Sequence, residues 1–228
     1  MQRLVAREMM DDDQGLGSVE EWRSSLRDLD RVNRFLGGWT SLFDAVGRLP
    51  ELPRRLLDVG TGDGALPEQL LGYLAQRGVN ASCVALDRSE RILSIARERL
   101  RDRHDISLVL GDARRLPFGM ACFDLATLNL SLHHFEPAEA VAVLRELARV
   151  ARHVIVNDLR RSRLAWAFAR TVFPLFTRNR FTRNDAPLSV LRSYLPHEAA
   201  ELARQAGWQR LEVRKHRGYR MTLVGGAA

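Results

Sequence analysis

The chain has 228 residues, 46% of them apolar, which suits one packed domain with at most a small addition. No apolar run reaches the ~20 residues of a membrane span. The net charge of +7 is almost all arginine, with Lys215 the single lysine, and these arginines alternate with acids, which points to biased arginine usage and away from a nucleic-acid surface.

The first residues, MQRLVAREMMDDDQG, lack the apolar stretch of a signal peptide. Residues 1–17 read as a disordered N-terminus on their polarity and their acidic triplet. Ser18 followed by Glu21 forms a capping-box start for an amphipathic helix over 19–36, built on Trp22, Leu26, Leu29, Val32, Phe35 and Leu36 and ended by Gly37-Gly38. A second helix, Thr40 to Leu49, stops before Pro50. Residues 18–50 thus form a helical lid ahead of the main domain, 51–228.

From residue 54 short apolar runs alternate with helical patterns. Strands are expected at 55–59, 82–87, 106–110, 123–130 and 153–157, with helices at 65–77, 89–101 and 137–150 between them. This is the pattern of a parallel sheet covered on both faces. Cys83 and Cys122 fall in strand-like runs and read as free buried thiols of a cytoplasmic protein. Residues 160–195 break the rhythm with aromatics (Trp166, Phe168, Phe173, Phe176, Phe181) and arginines, and read as a cap: a helix to about Phe173, a loop, and a short helix near Leu188 to Tyr194. Pro196 opens a further helix, and two strands, LEVRKH and YRMTLV, close the chain as a hairpin.

The chemistry gathers at Leu56-Leu57-Asp58-Val59-Gly60-Thr61-Gly62-Asp63-Gly64. A strand runs into a turn of alternating glycines and out into a helix, where backbone N–H groups are free and a ligand can approach the main chain. Dinucleotide loops read G-x-G-x-x-G; this one reads G-x-G-x-G and carries an acid two residues before its first glycine. A pyrophosphate disfavours that carboxylate, whereas a cofactor with a cationic end does not. Asp87, Asp112 and Asn129 follow at the ends of the next three strands, the edge where open α/β sheets bind ligands.

From about Arg54 to Phe135 these motifs resemble the class I S-adenosylmethionine-dependent methyltransferases, specifically the small-molecule group of the UbiE or type 11 kind. The resemblance implies a Rossmann-like, seven-stranded, mostly parallel sheet with helices on both faces, and S-adenosylmethionine as cofactor. It implies cofactor contacts at Asp58, Gly60, Thr61, Gly62 and Gly64, at Asp87 and Arg88 for the ribose and adenosine, at Asp112 and Ala113 for the adenine, and at Asn129 for the methionine portion. Many relatives carry Pro-Gly-Gly before the fifth strand; here Val150-Ala151-Arg152-His153 stands there, which leaves that strand's start open.

The fourth strand ends Asn129-Leu130-Ser131-Leu132-His133-His134-Phe135, without the Pro-Pro or Pro-Cys marks of base-modifying enzymes. The Leu-His-His-Phe run resembles small-molecule O- and C-methyltransferases of natural-product and quinone pathways, in several of which a histidine here and an acid after the fifth strand flank the acceptor. His133, His134 and Asp158 are accordingly the catalytic candidates, one histidine removing a proton from a phenol or enol. Arg160, Arg163 and Arg183 are candidate acceptor contacts within the cap, and Arg31, Arg34 and Trp39 are candidates in the lid. No metal ligand set is expected. The reading is methyl transfer, to oxygen before carbon, onto a small phenolic, polyketide or quinone-like acceptor. The alternatives are an RNA or protein methyltransferase, or a non-catalytic binding module; a homodimer is left open.

Overall fold

The computed structural model describes residues 1–11, 17–35 and 37–226, without the side chains of Val32 and Phe35. Among the described residues, seven strands make one sheet in the order β3-β2-β1-β4-β5-β7-β6: β1 Arg55–Val59, β2 Ser82–Asp87, β3 Ile106–Leu110, β4 Phe123–Asn129, β5 Ala151–Leu159, β6 Gln209–His216 and β7 Arg220–Gly226. The first five are parallel; β7 runs antiparallel to β5 and to β6. The order reverses between β1 and β4, so the connections there leave in opposite directions and open a crevice at the strands' C-terminal ends.

Helices α3 Ala65–Ala75, α4 Glu90–Arg99, α5 Pro137–Val150 and α8 Pro196–Gln205 cover the sheet. The sheet's central strands carry near-continuous apolar runs because both faces are covered. Leu57, Val59, Leu128 and Val156 pack with Val143, Leu144 and Leu147 on one face. Leu56, Ala85, Leu125 and Ile155 pack with Leu66, Leu70 and Leu74 on the other. Helix α5 passes directly into β5: Ala151, where the helix ends, is already extended at φ −132° and ψ 149°. No glycine turn is needed there, which accounts for the missing Pro-Gly-Gly.

The lid helices are α1 Val19–Phe35 and α2 Gly38–Gly47. The capping box forms, with the Ser18 N–H donating to Glu21 Oε2 (2.8 Å) and the Glu21 N–H to Ser18 Oγ (3.2 Å). Helix α2 starts earlier than expected, at Gly38, because Gly37 takes the left-handed φ of 76° and turns the chain in one residue. Leu36 lies outside the described residues.

Two expectations change. Residues 1–11 are ordered: Arg3 donates to the carbonyls of Arg192 (2.6 Å), Phe135 (2.8 Å) and His133 (3.2 Å), and its guanidinium stacks on Tyr194 at 4.3 Å. Residues 12–16 lie outside the described residues. The cap also differs. After α6 Arg163–Thr171 and a turn at Phe173–Leu175 comes α7, Arg180–Arg192, far longer than a short helix near Leu188. Asn179 caps it by accepting from the N–H groups of Phe181 and Thr182, and Pro187 sits inside it. Cys83 is buried but Cys122 is exposed, on the turn before β4.

Candidate active site

A cavity of about 920 Å³ lies at the crevice, lined by the glycine loop, the ends of β2, β3 and β4, helix α1 and residues of the N-terminal segment. That size suits a nucleotide-like ligand and a small second one. Gly60, Gly62 and Gly64 have φ of 69°, 60° and 80°. The Gly60 and Thr61 N–H groups donate to the Leu86 carbonyl (2.8 and 3.1 Å), and the Gly62 N–H donates to Asp87 Oδ2 (3.1 Å), so β2 holds the loop in place. A Cβ on Gly60 would stand 2.5 Å from Ser131 Oγ.

Asp87 lines the cavity and also accepts from the Ser89 N–H (3.1 Å). Arg88, Asp112, Ala113 and Asn129 line the cavity too. Arg88 donates to the Asp11 carbonyl (2.9 Å). The Asp112 carboxylate is clasped by Arg114 at 2.6–3.0 Å, which holds it below the usual carboxylate range. Asn129 accepts from Asn157 Nδ2 (2.7 Å), and Asn157 also accepts from Ser41 of α2 (3.0 Å), tying both strand ends to the lid. Asp58 is absent from the lining. It is buried beneath the loop, accepting from Thr127 Oγ1 (2.7 Å), and burial pushes its carboxyl up to about 7.

Buried polar atoms on the cavity wall without a hydrogen-bond partner among the described residues include Trp39 Nε1 and Asp30 Oδ1. Unpartnered buried groups are costly. A donor on Trp39 and an acceptor on Asp30 match a carboxylate and an ammonium, the zwitterionic end of an amino-acid-bearing cofactor. The residues therefore fit S-adenosylmethionine.

Beyond Asn129, Leu130 adopts φ 52°. This uncommon conformation for a leucine swings the chain out of β4 into the turn Leu132–His134. There Asp158, at the end of β5, holds His133 twice: Oδ2 accepts the backbone N–H (3.0 Å) and Oδ1 faces ring Nδ1 at 2.7 Å. Both are buried, 3% and 1% exposed. Burial works to raise the Asp158 carboxyl, but the His133 ring and the backbone N–H groups of His133 and Leu159 hold it below its ordinary value. The carboxylate fixes the tautomer, leaving Nε2 as the imidazole's basic atom. His134 stacks beside it at 4.3 Å and is held by Asp11 through Nδ1 at 2.7 Å.

The arginines expected at the acceptor do not reach the cavity. Arg163 and Arg183 are exposed to solvent, and Arg160 lies over Tyr219 at 5.6 Å. Arg31 and Arg34 pair along their own helix with Asp28 and Asp30; Trp39 is on the cavity wall. Among the cap aromatics, Phe181 is buried against Trp22, while Trp166, Phe168 and Phe176 are exposed. Sequence reasoning missed Arg192, Glu8 and Asp11. Arg192 of α7 lines the cavity, donating to the His134 carbonyl (2.8 Å) and to Asp11 Oδ2 (2.5 Å). Their meeting depends on a segment that carries no periodic signal.

A family model described as a methyltransferase domain matches residues 56–153. The demethylmenaquinone methyltransferase of Roseiflexus sp. (strain RS-1) is 28% identical, over 76% of this chain and 73% of that one. The malonyl-[acyl-carrier protein] O-methyltransferase of Marinomonas sp. (strain MWYL1) is 33% identical, over 46% of this chain and 37% of that one. A solved S-adenosylmethionine-dependent methyltransferase from Aquifex aeolicus shares the fold with a TM-score of 0.62 at 18% identity, covering 92% of this chain and 98% of that one. With the loop, the strand-end residues and the cavity in place, residues 56–153 match a methyltransferase domain, the whole sheet has the fold of solved S-adenosylmethionine-dependent methyltransferases, and S-adenosylmethionine is the cofactor this site fits.

Proposed function

We propose that the acceptor is a small planar molecule with an acidic O–H, a phenol, enol or quinol, and that His133, oriented by Asp158, removes its proton. The observation that carries this is His133 on the cavity wall with Asp158 buried behind it, Nδ1 committed to the carboxylate and Nε2 left as the base. When bound, S-adenosylmethionine supplies a methyl group already activated on a sulfonium. The protein's share is positioning and proton removal, the latter worth roughly 10²–10⁴-fold. Asp87 supports the ribose. Trp39 and Asp30 meet the cofactor's carboxylate and ammonium, and Asp58 braces the loop from below. His134 serves to anchor the N-terminal segment through Asp11. A phenolate or enolate is nucleophilic at oxygen and at the adjacent carbon. Oxygen is the first candidate and a quinol ring carbon the second, in keeping with the names of the two relatives.

The test uses His133→Gln and Asp158→Asn with a panel of phenols and demethylated naphthoquinols, reading methyl transfer by mass and cofactor affinity by calorimetry. Turnover should fall about 10²-fold or more in each variant, with cofactor affinity changed by less than about threefold, on the order of 0.6 kcal/mol. Undiminished turnover in both variants would refute the assignment.

A further inference from the structure

Glu8 is a buried carboxyl that this reaction does not use. It faces His133 Nε2 at 3.6 Å and His134 Nε2 at 3.9 Å, and one ligand atom from each of the three residues lies within 4.8 Å of the others. Each imidazole is backed on its other nitrogen by a carboxylate, His133 by Asp158 and His134 by Asp11, both at 2.7 Å. An ionised carboxylate only accepts, so each Nδ1 carries the hydrogen and each Nε2 presents a lone pair. Two lone pairs and a carboxylate therefore confront one another. Glu8 Oε1 accepts no hydrogen bond among the described residues. Arg192 Nη1 stands 3.5 Å away but is engaged by Asp11 at 2.5 Å, and Asp185 adds negative charge nearby. Three acceptors so arranged call for a proton or a cation between them.

We propose that Glu8, His133 and His134 are the ligands of a divalent transition-metal site of the zinc class, and that a cation bound there withholds the His133 lone pair from the methyl acceptor. Two imidazoles and a carboxylate form a zinc ligand set, with three protein ligands and a fourth position for water. Metal–nitrogen bonds of about 2.0–2.1 Å in a tetrahedron separate ligand atoms by about 3.3–3.4 Å; Glu8 Oε1 stands 3.6 Å from His133 Nε2 and Glu8 Oε2 3.9 Å from His134 Nε2, and the three ligand atoms, all within 4.8 Å of one another, draw together to hold one ion. Asp158 and Asp11 are the carboxylates that fix the tautomer and orientation of metal-bound histidines. The imidazoles favour zinc, cobalt or nickel over magnesium or calcium. Because His133 is also the proposed base, the cation inhibits; that second clause rests on the reading above, while the site itself does not.

The test begins with the full chain freed of metal by a chelator and titrated with Co²⁺. A visible absorption band should saturate at about one equivalent, as a three-ligand site of this kind binds one ion. E8Q and D11N should weaken Co²⁺ by at least about tenfold, and the thermal scan of each metal-free variant confirms that it is folded. Zn²⁺ should then lower wild-type methyl transfer, and the same fractional loss in E8Q should need at least about tenfold more Zn²⁺. Absence of a band, or equal Co²⁺ affinity in E8Q, D11N and wild type, overturns the site. Saturable Co²⁺ binding with undiminished turnover overturns the inhibition. The H133Q assay in chelator judges the base independently of any metal.

Discussion

The glycine loop and the acid beneath it set what individual residues can do. Gly60 and Gly62 both need the left-handed region, where an added Cβ costs about 1–2 kcal/mol, but their surroundings differ. A Cβ on Gly62 meets only Leu26 at 3.6 Å, whereas on Gly60 it strikes Ser131 Oγ. Gly62→Ala should lower the melting temperature by about 2–8 °C and Gly60→Ala by more; a smaller loss for Gly60→Ala would show that the loop yields there. Asp58 makes a second case. It is buried with Thr127 as donor, Asp87 as the nearby like charge and Cys83 beside it. Its folded value of about 7 exceeds the unfolded one, so between about pH 4 and pH 7 the folded chain binds more protons than the unfolded chain. Its contribution is therefore greatest below the unfolded value and declines as pH rises through the folded one. Asp58→Asn should flatten that decline in cofactor-free protein, read from urea midpoints across the range; parallel slopes in variant and wild type would contradict it.

At the level of elements, the N-terminal segment is the part whose role is least evident from its composition. Met9 and Met10 donate backbone N–H groups to the two oxygens of Asp185 on α7 (2.9 and 3.1 Å), pinning the short turn Met9–Asp11 across more than 170 residues of sequence. Asp185→Ala leaves both donors without that partner and should cost about 1–3 kcal/mol locally. Amide hydrogen exchange at residues 8–11 should speed by about tenfold or more, with β1 and β4 unaffected. Uniform acceleration would mean that the segment unfolds only with the whole domain. The alternating strands and helices were legible because period-2 and period-3.6 patterns and the glycine turn are local signals. The pinning of residues 1–11 was not, because polar residues that order themselves through distant carbonyls look the same as disordered ones. Arg163 and Arg183 were misplaced for a related reason: composition gives a cluster of charge, while α6 and α7 decide which side faces the cavity. On α7 that residue is Arg192.

For the molecule as a whole, cofactor binding should be visible as stability. The cavity joins the sheet's parallel half to the lid helices, and the buried Asn157 links β4, β5 and α2. S-adenosylmethionine at about 100 times its dissociation constant contributes about 2.7 kcal/mol, which for a chain of this size raises the melting temperature by roughly 5–10 °C. Differential scanning fluorimetry with increasing cofactor reads this directly. A shift that saturates below about 1 °C would mean that the cavity does not receive the cofactor. No helix among the described residues is long and apolar enough to cross a membrane.

Asp11 gives the arrangement a kinetic side. Its carbonyl is held by Arg88, just past the end of β2, and its carboxylate is held by His134 and Arg192 at the other end. One residue thus ties Arg88 at the β2 end of the cavity to His134 and Arg192 at the β4 end. A latch of this kind makes release, not methyl transfer, the step to test as rate-limiting. Turnover should drop in proportion to solvent viscosity in the wild type and lose that dependence when Arg88→Ala removes the latch, whereas a chemistry-limited enzyme would ignore viscosity in both.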